Sequence, residues 1–187
     1  MKPASQLTPP PPAATSSSDL VGRMALRFGV AGGLLCSSWM LGLYATGNNP
    51  FGPKVLLAQL VVPMLAVIAE WRLRQRLAPV KPGIGRQLTL GGLVVLLAAL
   101  VSASSVIGLA SGAGEKKLVI LNRAEAREIT VAGIQAQPKQ DRNPTLEQQQ
   151  LAKIAQLSIV DFAISNFTVT LLFGLALAVP GGIFFRE

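Results

Sequence analysis

The sequence predicts an all-α polytopic membrane protein: four transmembrane helices in an antiparallel bundle, with a helical outer-face segment between the third and fourth. Three observations predict it. Half of the 187 residues are hydrophobic and only 14% are charged, against roughly a quarter charged in soluble domains. The apolar residues gather into uncharged runs at 28–47, 55–69, 87–114 and 162–185. The charges stand between those runs, so each run can lie in hydrocarbon without carrying a charge into it.

Crossing about 30 Å of hydrocarbon takes roughly 20 helical residues, and segments 24–45, 55–71, 88–110 and 160–185 meet that length. Residues 1–22 read as a disordered tail, because Pro9 to Pro12 and Thr15 to Ser18 offer no apolar face to bury. The first span follows Arg23 and Arg27 with no small-residue cleavage site behind it, so it reads as a retained anchor and not as a signal peptide. Residues 46–53, Thr-Gly-Asn-Asn-Pro-Phe-Gly-Pro, are turn formers, which makes spans one and two an antiparallel hairpin. The second span is the shortest, with a re-entrant segment as the alternative reading. Lys54 and Glu70 are expected to reach toward headgroups at its ends, Trp71 suits the interface, and Pro63 predicts a kink.

The loop 72–87 carries Arg72, Arg74, Arg76, Lys81 and Arg86 and no acid. Excess Lys and Arg mark the cytoplasmic side, so both termini are expected in the cytoplasm. Over the whole chain that orientation places nine cations inside and eight outside, with the density far higher in the short inner loop. The outer segment 114–157 is too long for an unstructured connection. Asn143 before Pro144 reads as a helix N-cap with proline at the first helical position, opening a helix expected to pass through Leu151 and Ile154 into the fourth span. Residues 117–135 fit a helix or, through Ile129-Thr130-Val131, a strand.

The formal charge of +8 does not point to nucleic acid, because the cations flank apolar spans and are not interleaved with aromatics. Histidine is absent, which removes the commonest general base and the commonest nitrogen ligand for metals. With Asp161 the lone aspartate of the spans, the aspartyl pair of an intramembrane protease is missing as well. Glu115, Glu125 and Glu128 alternate with Lys117, Arg123 and Arg127 and read as a solvated face. No catalytic residue, cofactor site or metal site is expected. Cys36 lies in an apolar run and reads as a small packed hydrophobe. Asn166-Phe167-Thr168 matches a glycosylation triplet by chance, since it falls inside a span.

Polar residues within a span are expensive and often functional. The candidates are Gln59, Glu70, Asp161, Asn166, Thr168 and Thr170. Gln59, Asp161 and Asn166 all fall near the outer ends of their spans, where they are expected to meet as a polar cluster. Interhelical hydrogen bonding plus an interfacial acid is the plainer reading; a pocket or a proton-binding carboxylate at Asp161 is the functional one. Small residues at Gly29 and Gly33, at Gly108 and Gly112, and at Gly174, Ala178 and Gly182 are expected at helix crossings.

The layout resembles a bacterial four-helix membrane protein family of uncharacterised function, domain of unknown function forty-one ninety-nine. The resemblance rests on Leu26-Arg27-Phe28-Gly29 entering the first span, the basic stretch from Arg72 to Arg76, Gly85-Arg86-Gln87 opening the third, the polar outer segment, and the ending Phe184-Phe185-Arg186. At 77–82 the chain departs from the acidic and glycine residues that the family carries. The resemblance implies four membrane helices and a bacterial inner-membrane setting, and brings no catalytic residue. The expected function is that of a structural or accessory membrane protein contacting the lipid bilayer and a membrane-protein partner or a second copy of itself. A component of an ion or small-solute transport system is the alternative, and a membrane enzyme the second alternative.

Overall fold

A computed structural model describes residues 17–138 and 142–185. The expected disorder of 1–16 and the contribution of Arg186 to the charge balance lie outside the described residues. Among the described residues every regular element is a helix and none is a strand. The elements are α1 (Ser17–Ala45), a 3-10 turn (Pro53–Val55), α2 (Leu56–Gln59), α3 (Val61–Leu77), α4 (Ile84–Ala113), α5 (Glu115–Ala136), α6 (Pro144–Gln156) and α7 (Ile159–Phe184). Four stretches are long and apolar enough to cross a membrane: α1, the segment Pro53–Leu77 made of the 3-10 turn, α2 and α3, then α4 and α7.

Several boundaries differ from the sequence reading. Helix α1 starts at Ser17, so 17–22 is helical and not part of a tail. Arg72, Arg74 and Arg76 form the last turns of α3 and not a loop, because arginine is a good helix former and cations suit the negative end of the helix dipole. Arg72 also stacks over the Phe28 ring, 5.7 Å from its centroid, tying α3 to α1. The connection shrinks to 78–83, and α4 takes Arg86 and Gln87 into its first turn. Pro63 has no N–H for the Gln59 carbonyl, and the second span is interrupted at Leu60, between α2 and α3.

Residues 115–136 resolve the open choice as a helix. Gly114, with φ of +97°, makes the turn into it from α4, a backbone conformation that side chains disfavour. Asn143 caps α6 as its sequence suggests, its side chain accepting from the N–H groups of Thr145 at 3.1 Å and Leu146 at 3.3 Å. That helix does not continue into the fourth span. Ser158 starts a new one, its hydroxyl accepting from the Asp161 N–H while the Asp161 carboxylate accepts from the Ser158 N–H at 2.7 Å. This reciprocal capping satisfies backbone donors that a helix start leaves open.

Contacts set the register of the bundle. Helix α4 is central, packed against α1, α3 and α7. It runs parallel to α1, with Gly29 beside Leu97, Gly33 beside Val101 and Ser37 bonded to Ser105 at 2.6 Å. It runs antiparallel to α7, with Gly182 beside Leu88, Gly174 beside Val95 and Asn166 beside Ser102. The fully buried core is correspondingly fine-grained: Val62, Ala66, Ala69, Val94, Val95, Ala98 and Ala99. Larger apolar side chains such as Leu34, Leu57, Met64, Leu100 and Leu172 point outward, the arrangement hydrocarbon favours.

The glycines divide into two groups. A Cβ on Gly29 would lie 2.6 Å from Leu97 Cβ and 2.9 Å from the Val94 carbonyl oxygen; one on Gly33 would overlap Val101. Gly174 is filled by Val95, and Gly182 would place a Cβ 3.0 Å from Leu88. Gly108 and Gly112, expected at a crossing, meet nothing within 4 Å. Beyond the Ser37–Ser105 bridge, both glycines line a cleft of about 460 Å³ together with Met40 and Tyr44 of α1.

Leucine at both Gly29 and Gly33 is therefore expected to lower stability in detergent by about 1–3 kcal/mol per site, the usual cost of overpacking. Leucine at both Gly108 and Gly112 is expected to leave thermal unfolding within a few degrees of the parent. Equal effects of the two pairs would contradict the assignment.

Candidate functional site

Asn166 draws all four spans together. Its Oδ1 accepts from Gln59 Nε2 of α2 at 2.8 Å and from the Thr170 hydroxyl one turn along α7 at 3.1 Å. Its Nδ2 donates to the Ser102 hydroxyl of α4 at 3.2 Å and to the sulfur of Met40 in α1 at 3.8 Å. Gln59, Ser102 and Thr170 are buried. In hydrocarbon each of these polar groups needs a partner inside the protein, and one amide supplies it to several, although Gln59 Oε1 is left without one. Cys36 lies fully buried nearby, its thiol directed at the Ala58 carbonyl at 3.6 Å.

Beside this network a cleft of about 450 Å³ opens between the second span, α5 and α7. Gln59, Asp161 and Asn166 all line it, together with Asn122, Glu125 and Phe162. The three residues expected to cluster therefore share one cleft, but hydrogen bonds join only two of them. Asp161 is exposed, and its carboxylate accepts from the Ser158 hydroxyl at 2.6 Å as well as from the Ser158 N–H. It holds the first turn of α7 and does not join Gln59. Thr168 is exposed on the outer surface of α7.

The rim of the cleft is tied to the helices above the bundle. Asn49, in the turn after α1, donates through Nδ2 to Asn122 Oδ1 at 2.7 Å and to Glu125 Oε2 at 2.6 Å, and its side-chain Oδ1 accepts from the Phe51 N–H. Arg123 donates to the Leu157 carbonyl at 2.8 Å, at the α6–α7 junction. Glu125 and Arg123, read as part of a solvated face, are thus spent on docking α5.

Near the other end lies a second polar place. Glu70 does not reach toward headgroups: it is fully buried, and neither carboxylate oxygen has a hydrogen-bond partner. It lies against three glycines. A Cβ on Gly91 of α4 would overlap Oε1; one on Gly181 of α7 would sit 2.5 Å from Oε2, and one on Gly182 3.4 Å from Oε1. Gln87, one turn before Gly91, is buried too, donating to the Phe185 carbonyl at 3.2 Å with its Oε1 unpartnered. The signal for Glu70 was present in the sequence. It falls on the stripe of Gln59, Val62, Ala66 and Leu73, the buried face of the second span.

The model of a family of proteins of unknown function, DUF4199, matches residues 27–187. The chain belongs to the DUF4199 family. No curated protein and no solved structure matches it. Family membership extends over all four spans and both polar places, and agrees with the resemblance read from the layout. Among the described residues no group of three or more His, Cys, Asp or Glu side chains is placed to hold a metal ion.

The two acidic and amide positions of the cleft separate cleanly by experiment. Asn166→Val is expected to cost about 1–2 kcal/mol, because measured bonds of this kind average about 0.6 kcal/mol each and several are lost. Asp161→Asn retains an acceptor for Ser158 and is expected to change stability by less than about 0.5 kcal/mol, within the range that caps of this kind exchange. Thermal unfolding of the two variants in one detergent checks the ranking.

Proposed function

We propose that this DUF4199 protein is an accessory subunit of the bacterial cytoplasmic membrane, with both termini in the cytoplasm, that binds a membrane-protein partner through α5 and α6. One observation carries the reading. Outside the candidate spans, where lipid does not explain it, Ile120, Ile129 and Leu146 are 65%, 50% and 54% exposed on α5 and α6. Those helices pack on each other and are fastened to the bundle by the Asn49 and Arg123 bonds. A fastened surface with apolar side chains is suited to a partner, because ordering entropy need not be lost again on binding. The basic end of α3, with Arg72, Arg74 and Arg76, supports the cytoplasmic assignment of the opposite end of the bundle. The proposed role requires no catalytic chemistry and no cofactor.

A second reading, as a component of an ion or small-solute transport system, draws support from the buried Glu70 carboxyl, since ionisable groups inside membranes commonly mark ion pathways. Flux in liposomes containing the purified protein would favour it.

The partner reading is tested in native membranes with a photocrosslinking residue at Ile129. A single adduct of constant mass is expected, absent when the crosslinker replaces the lipid-facing Leu172. Adducts at neither position, or the same adducts at both, would count against α5–α6 as the contact surface. After replacement of Cys36, Gln148→Cys is expected to react with impermeant thiol reagents in intact cells and Arg76→Cys to be protected.

A further inference from the structure

We propose that Glu70 is a proton-binding site: its carboxyl holds a proton at neutral pH within a glycine-lined cage between α3, α4 and α7. Geometry carries this. The side chain is fully buried and both oxygens lack a donor. Gly91, Gly181 and Gly182 lie against its oxygens, with Ala178 beside Gly91 and Val67 beside Gly181. None of them bears a charge or titrates. A carboxylate there would be an anion with neither a counter-ion nor a hydrogen-bond donor, and buried groups in that position take up a proton instead.

A proton fits the cage and a metal ion does not. The place a Cβ would occupy on Gly91 already overlaps Oε1, and that on Gly181 touches Oε2. The glycines thus leave room for the carboxyl and for little else. A sodium or calcium ion would need several further oxygen ligands, and no metal-holding group of acids exists among the described residues. Protonation turns one Glu70 oxygen into a donor. Gln87 presents an unpartnered Oε1 on the face of α4 that carries Gly91, and it stands between the cage and the 78–83 connection.

The experiment is infrared spectroscopy of the full chain in lipid nanodiscs at neutral pH, with and without ¹³C-labelled glutamate. A protonated carboxyl C=O band is expected in the parent, shifted by the label and by D₂O. Glu70→Gln, which preserves shape and neutrality, is expected to fold with parental thermal stability and to lose the band. Should the glutamine variant not fold, the label-dependent band of the parent still decides. A parent without a label-shifted band overturns the proposal. So does a band that sodium chloride abolishes at constant pH, which would make the ligand a cation.

Discussion

The close approach of α1, α3 and α7 to α4, at positions that carry no side chain, is the constraint on which the rest of this bundle depends. In hydrocarbon the outside of the bundle is as apolar as its inside, so burial alone does not bring helices together. Tight packing and hydrogen bonds do. Gly29 and Gly33 admit α4 to α1; Gly91 and Gly174 set α4 against α3 and α7; Gly181 and Gly182 bring the end of α7 onto α3. Where the notches stop, at Gly108 and Gly112, α1 and α4 part and a cleft opens.

That packing places the polar groups. Buried polar atoms lacking water must be satisfied by the protein or carry a large cost. At one end Asn166 answers Gln59, Ser102 and Thr170. At the other the glycines around Glu70 make a space the size of a carboxyl and offer it no donor. The two ends of one stripe on the second span, Gln59 and Glu70, therefore have opposite surroundings. One is tied into a network, and the other is confined without a partner.

Most of the fold was legible in the sequence, because span length and charge placement are read directly from it. The Asn143 cap and the turn after α1 followed from local chemistry, and the meeting of Gln59 with Asn166 from their places near the outer ends of their spans. What escaped was the orientation of side chains around their helices. Glu70, next to Trp71 and Arg72, reads as interfacial by position along the chain and as interior only by its face of the helix. Asp161 escaped for the opposite reason: its spacing from Ser158 marks a capping box, a short-range pattern that outweighs a distant polar partner. The glycine pairs are alike in spacing, and spacing does not distinguish Gly29 and Gly33, which meet Leu97 and Val101, from Gly108 and Gly112, which meet nothing within 4 Å.

The central claim is that the Glu70 carboxyl occupies the space left by Gly91. A double-mutant cycle of Gly91→Ala and Glu70→Ala, followed by thermal unfolding in detergent, tests it most directly. The account predicts that alanine at Gly91 destabilises the parent and costs little once Glu70 is truncated, a coupling of about 1–3 kcal/mol, the range found for residues in direct contact. Equal losses in the two backgrounds would contradict it.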